Sequence, residues 1–247
     1  MNEIHAEKTW SEGSPEAPGD LDNGQIYARV FEAIVDHRLM PGTHLKEDEL
    51  CEIFGIGRTR LRAILSRLSA DHVVELVANR GAFVSKPTID EAREVFRARR
   101  LIEGHLVRRA AENPTEQVRA ALLQHLGHER AAREAGDQSV VIRRCGKFHQ
   151  VLGEQAESPI MARFLRELIA RSSLIVAIYE AKAPEECEME EHRALTELVL
   201  ASRADAAVEL MERHLCGIED RLDLHPRRQA SQDLRSSLMG SRSISRS

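Results

Sequence analysis

The chain has 247 residues, 42% hydrophobic, 30% charged and only 4% aromatic, with a formal net charge of -5. Such a length holds one or two domains, and a core this poor in aromatics must be built from Leu, Ile, Val and Ala, which favours helices over a β-sandwich. The negative balance excludes a protein that coats nucleic acid indiscriminately, so any DNA contact has to come from a local basic patch. Cys51, Cys145, Cys187 and Cys216 are scattered, with no CxxC pair, and read as reduced thiols. No apolar run approaches the roughly 18 residues of a membrane span. The N-terminus has no signal-peptide core. A cytoplasmic protein without a membrane partner is expected.

Residues 1–20 are rich in Glu, Gly, Pro and Ser without periodicity and read as a disordered tail. Residues 25–38 place Ile26, Val30, Phe31 and Ile34 on one face of a helix. Met40-Pro41-Gly42-Thr43 is a turn. A second helix covers 47–54, and Gly55-Ile56-Gly57 breaks it. The next helix opens at Arg58 and carries four arginines and no acid through Arg67. Leu61, Ile64, Leu65 and Leu68 recur at helical spacing, so this helix buries an apolar back and turns Arg58 and Arg62 outward. Val73–Val77 and Gly81–Ser85 flank Ala78-Asn79-Arg80 and predict a β-hairpin. Two short helices joined by a Gly turn, followed by a hairpin, make a winged helix-turn-helix over 21–88. That segment has nine basic and nine acidic residues, so its basicity is confined to the Arg58 helix and the hairpin tip.

From residue 89 to 225 the pattern predicts six helices and no strand, at about 89–112, 115–135, 138–156, 159–181, 185–202 and 204–223. This is an all-α antiparallel bundle, so the expected class is mostly α with a small β-hairpin wing. Five glutamates among 185–191 open one of these helices and complement its dipole. Residues 226–247, rich in Ser and Arg, read as a second disordered tail.

Three histidines lie on apolar faces of three different bundle helices. His149 accompanies Phe148 and Leu152, His192 accompanies Leu195 and Val199, and His214 accompanies Leu210, Met211 and Ile218. Each alone reads as a core histidine, but together they can converge on a divalent metal, since imidazole suits Zn, Ni, Fe or Mn. Cys145 is four residues before His149 and shares its face. Arg99 and Glu103 are one turn apart on an apolar stripe with Val95, Phe96, Ile102 and Leu106. Charges there need partners, and a mutual ion pair is the simplest one.

Three stretches resemble the GntR family of bacterial transcription regulators: Leu39–Leu50 (LMPGTHLKEDEL), Gly55–Leu65 (GIGRTRLRAIL) and Asn79–Val84 (NRGAFV). The helical half resembles its FCD-type effector domain. The resemblance implies a homodimer on a palindromic operator, a repressor by expectation, controlled by a small-molecule effector in the bundle. It maps DNA reading onto Arg58, Thr59 and Arg62 and onto the wing turn at Arg80 and Gly81. An arginine can bond guanine O6 and N7 in bidentate fashion, worth ~1–3 kcal/mol of discrimination. The chain departs from the family at three places: Asp48 where an arginine is common, Arg60 (an extra donor) where a proline is common, and Gly57 where Ser or Thr would cap the helix. A relative's operator therefore does not transfer.

In the bundle, the resemblance implies a metal site of one Asp and three His. His149, His192 and His214 match the histidines, and Cys145 stands at the Asp. Two readings stay open: a Cys145/His149/His192/His214 set, biased to Zn by the soft thiolate, or a three-histidine site with Cys145 as bystander. A redox-sensitive Cys145 is a third. The resemblance also makes Arg99 an anchor for an effector, expected to be a carboxylate. Two other functions are weighed. One is a metal-dependent hydrolase using the same histidines, which lacks an HExxH base and leaves the winged helix unexplained. The other is a DNA-architecture protein with an inert bundle.

Overall fold

The structure is a computed structural model that describes residues 21–136, 138–180 and 187–224. Both expected tails, residue 137 and residues 181–186 lie outside the described residues, including the first two glutamates of the 185–191 run. The described part is mostly helical, and its elements in chain order are as follows: α1 Asn23–Val35, β1 His44–Leu45, α2 Glu47–Phe54, α3 Arg58–Ala70, β2 Val74–Val77, β3 Gly81–Val84, α4 Ile89–Glu112, α5 Glu116–Glu134, α6 Gln138–Glu154, α7 Pro159–Tyr179, α8 Cys187–Leu200 and α9 Ala204–Asp220.

Local chemistry explains most boundaries. Asp22 and Gln25 form a capping box that starts α1. This helix ends at Val35, three residues before the expected position, because His37 takes a left-handed backbone (φ 58°). Gly55 closes α2 in the same left-handed region (φ 63°), where a glycine carries no Cβ penalty. Gly57 caps α3 without a side-chain bond. Thr88 and Glu91 form the capping box of α4. The bundle helices end slightly inside their expected limits, α7 at Tyr179 and α9 at Asp220.

The sheet has three antiparallel strands in the order β1-β3-β2. The hairpin was foreseen, and β1 was not. Two residues are too few to show a period, and His44 and Leu45 become a strand only by pairing with Phe83 and Ala82. The core of this small domain joins Ile26, Val30 and Ile34 of α1 to Leu61, Ile64, Leu65 and Leu68 of α3 and to Val74, Ala82 and Val84 of the sheet. Ala170 and Leu174 of α7 enter the same core, so a bundle helix is part of the winged helix's foundation. The larger core lies among α4 to α9, with Phe96, Phe148, Ile175, Leu195, Met211 and Leu215 fully or almost fully buried. Among the described residues, no helix is long and apolar enough to cross a membrane.

Candidate functional site: a recognition helix and a histidine centre

The arginines of α3 divide into two pairs. Leu61, Ile64, Leu65 and Leu68 fix the helix rotation by burial, which leaves Arg58, Thr59 and Arg62 exposed. Arg58 donates through Nε and Nη2 to Asp48 Oδ1, at 3.0 and 2.6 Å. Arg62 Nε donates to both Glu47 oxygens at 3.0 Å. Glu47 and Asp48 sit in the first turn of α2, where acids suit the helix dipole. Asp48, which stands where an arginine is common in the family, is thus the partner that aims Arg58.

Arg60 and Arg67 lean the other way. Arg60 donates from Nε to Asn23 Oδ1 at 2.5 Å and from Nη2 to the Leu21 carbonyl. The Arg67 guanidinium lies 4.1 Å from the centre of the Tyr27 ring. Arg60, expected as an extra donor toward DNA, lies on the flank of α3 that α1 occupies, with its side chain bonded to the N-terminal cap of α1.

Arg80 is exposed at the wing tip, 5.6 Å from the Phe83 ring centre. Gly81 has φ +96°, and a Cβ there would stand 3.0 Å from His44 Nε2. Its left-handed conformation therefore favours glycine, and a Cβ would also press on the His44 ring.

In the bundle, each of the three histidines presents Nδ1 to a carboxylate. His149 on α6 meets Glu103 Oε2 of α4 at 2.5 Å. His192 on α8 meets Glu129 Oε1 of α5 at 2.8 Å. His214 on α9 meets Glu191 Oε2 of α8 at 2.6 Å. Such carboxylates fix the tautomer and raise the basicity of metal-bound imidazoles. Burial favours the uncharged Glu103, but Arg99 and His149 outweigh it and hold the carboxyl down at about 2. Glu129 is held at about 2 in the same way, with His125 and His192 outweighing burial. Both are anions, so the hydrogen must be on Nδ1 of His149 and His192. Burial lowers His149 to about 3 and also lowers His192, against the pull of their carboxylates. Both rings are therefore neutral, with the lone pair on Nε2.

Donor atoms of His149, His192 and His214 lie within 4.8 Å of one another, and all three residues are buried. The Nε2 atoms of His149 and His214 are 3.3 Å apart. His192 Nε2 is buried without a hydrogen-bond partner among the described residues. A proton or a metal ion between these two nitrogens would join them. Two nitrogens each about 2.0–2.1 Å from a tetrahedral Zn2+ stand roughly 3.3–3.4 Å apart. The residues present fit a divalent ion.

Cys145 does not join that set. It groups with Glu129 and His192, again within 4.8 Å. Burial and the Glu129 charge push its thiol up to about 12. Of the two readings left open, the four-donor set and the three-histidine site, the geometry groups the three histidines together and places Cys145 in a second, overlapping triad. Glu129 and His125, four apart on the buried face of α5, were missed. The signal was a His and a Glu on the stripe of Val118, Leu122 and Ala132, and it was legible only as an unexplained buried charge.

Arg99 forms the expected ion pair, with Nε 2.6 Å from Glu103 Oε1. Its Nη1 donates to Ser172 Oγ of α7 at 3.0 Å, and its Nη2 is buried without a partner among the described residues.

Sequence profiles of two domain families match this chain: the bacterial regulatory proteins of the gntR family over residues 23–84 and the FCD domain over residues 94–216. The chain belongs to the GntR family of transcription regulators, with an FCD effector domain. It is 26% identical over 199 residues to the HTH-type transcriptional repressor RspR of Escherichia coli, covering 80% of this chain and 87% of that one. It is 27% identical over 216 residues to the galactonate operon transcriptional repressor of the same organism, covering 74% and 89%. Among solved structures, a GntR-type regulator from Rhodococcus sp. RHA1 superposes with a TM-score of 0.72 at 21% identity, over 80% of this chain and 95% of that one. Escherichia coli McbR/YncC does so with 0.70 at 23%, over 80% and 97%. The protein is a DNA-binding transcription regulator. The family and these relatives are regulators rather than enzymes, which removes the hydrolase alternative.

Proposed function

We propose that this GntR-family regulator works as a homodimeric repressor on a palindromic operator and releases or grips DNA according to a small carboxylate bound at a metal centre on His149, His192 and His214. The observation that carries this reading is the set of three buried imidazoles, each with Nδ1 on a carboxylate and their donor atoms drawn together. A divalent ion held there, Zn2+ first, would keep room for a further ligand beside three histidines, and a carboxylate oxygen suits it. Arg99 Nη2, buried and unbonded among the described residues, is the donor a carboxylate would use. The DNA-architecture alternative leaves both features without a purpose.

The route to DNA runs through α7. Ser172 accepts from Arg99, and the next residue, Ser173, donates from Oγ to the Val35 carbonyl at 2.6 Å. His37 Nε2 lies 2.9 Å from the oxygens of Ser173. Adjacent residues of one helix thus touch the effector anchor and the end of α1. An effector that reorients Arg99 differently in two states biases the position of α1 and, through the shared core, α3. Exposed Leu101, Ile160 and Phe164, on the mutually packed α4 and α7, supply the apolar surface that a dimer needs.

The test combines elemental analysis with DNA binding. About one divalent ion per chain is expected in the wild type, together with a melting-temperature rise on adding a carboxylate panel and a matching change in affinity for the DNA beside its own gene. With Cys145 replaced by Ser, so that only the histidines can hold the ion, equal metal content with and without His149→Ala would overturn it, as would a carboxylate response unchanged in Arg99→Ala.

A further inference from the structure

We propose that Glu129, Cys145 and His192 form a second seat for a thiophilic divalent ion, distinct from the three-histidine centre and sharing only His192 with it. Three helices supply the donors: Glu129 from α5, Cys145 from α6 and His192 from α8. Their donor atoms lie within 4.8 Å of one another, and the residues are 1%, 7% and 0% exposed. A second observation points to a ligand there: Glu129 Oε2 is buried with no hydrogen-bond partner among the described residues. A buried carboxylate oxygen without a donor is costly, and an ion beside it removes that cost.

Charge separates the two seats. Glu129 as carboxylate and Cys145 as thiolate together neutralise a dication, so the loaded seat is uncharged and suits burial. On binding, the thiol loses its proton to solvent as the sulfur–metal bond forms, one proton per ion. A thiolate donor selects Zn2+ over Mg2+ or Mn2+. His192 faces Glu129 with Nδ1. A neutral imidazole has one lone pair, so an ion in this seat takes Nδ1 and the ring proton moves to Nε2. His192 is then withdrawn from the three-histidine centre. The two seats are alternatives for one ion, and the Glu-Cys-His seat keeps no charge to attract an anionic effector. The inference does not depend on the three-histidine centre holding an ion.

Cobalt(II) is the probe, since thiolate ligation gives a sulfur-to-metal charge-transfer band that nitrogen and oxygen ligands lack. In the full-length protein, His214→Ala should still bind one Co2+ per chain and show the band. Cys145→Ser should lack the band whether or not the three histidines hold Co2+, and Glu129→Gln in the His214→Ala background should weaken binding at least tenfold. The double variant Cys145→Ser/His214→Ala should bind none. Circular dichroism checks the fold of each, and Cys145→Ala replaces Cys145→Ser if the latter unfolds. Loss of the band in His214→Ala would place Cys145 in one common centre and overturn the proposal. Persistence of the band in the Cys145 variants would assign it to another thiol and overturn it equally. Failure of the three-histidine reading is seen separately, as metal content in Cys145→Ser/His149→Ala equal to that of Cys145→Ser alone.

Discussion

Replacing Asp48 by Asn should tighten DNA binding. Asp48 Oδ1 is 2.6 Å from Arg58 Nη2, and the side chains are 78% and 64% exposed. An exposed pair of this kind is worth only ~0.2–1 kcal/mol, so DNA competes with it easily. A phosphate seated on the Arg58 guanidinium would lie roughly 5 Å from the Asp48 carboxylate, and at the dielectric of water the repulsion is about 0.8 kcal/mol. Removing the charge eliminates both costs, about 1–2 kcal/mol together, or roughly 5- to 30-fold in affinity per recognition helix. Asn keeps the oxygen that aims Arg58. The assay is fluorescence anisotropy on an operator fragment across a salt series, with Arg58→Ala as the loss-of-binding control. The gain should be largest at low salt and fade toward 1 M, where the screening length is ~3 Å. An α2 dipole loss of ~0.3–1 kcal/mol would appear in a melt and not in the DNA affinity. Unchanged or weaker binding by Asp48→Asn at every salt concentration, with Arg58→Ala also unchanged, would refute the reasoning.

Glu103→Gln leaves the buried Arg99 charge without its partner at 2.6 Å; a loss of about 3–5 kcal/mol is expected in urea unfolding of the metal-free protein. Ser173→Ala removes the bond to the Val35 carbonyl and the contact with His37. It should cost ~1–2 kcal/mol of stability and shrink the effector-induced change in DNA affinity while leaving effector affinity within about threefold, read by calorimetry and gel shift. For pH, His149 is lowered from 6.5 to about 3 and Glu103 from 4.5 to about 2. In both cases the unfolded chain takes up the proton first. Their contribution to stability is therefore complete above about 6.5, and falls with pH through 6.5–3 for the histidine and 4.5–2 for the carboxylate. Melts of metal-free protein should show a steady decline below pH 6.5. A stability maximum at pH 5 would contradict this.

The helices were legible because their causes are local. Leu61, Ile64, Leu65 and Leu68 state which face of α3 is buried, and Gly55, Ser158-Pro159 and the Thr88/Glu91 pair state where helices begin and end. The three histidines were legible for the same reason, as polar side chains on apolar stripes. Periodicity names a face but not what lies opposite it. Only the rotation and stacking of neighbouring helices set Arg60 on the Leu21 carbonyl and Asn23. Only pairing with β3 made His44-Leu45 a strand. The same holds at the metal centre. Cys145 and His149 share a helix face, yet their neighbours differ: the packing of α5 and α8 brings Glu129 and His192 to the thiol, while α4 and α9 bring Glu103 and His214 to the imidazole. The sequence by itself determined that a DNA-reading helix and a histidine-lined interior exist. The tertiary structure decided the partner of each buried charge, because such partners come from elements distant in the chain and are set by packing rather than by spacing.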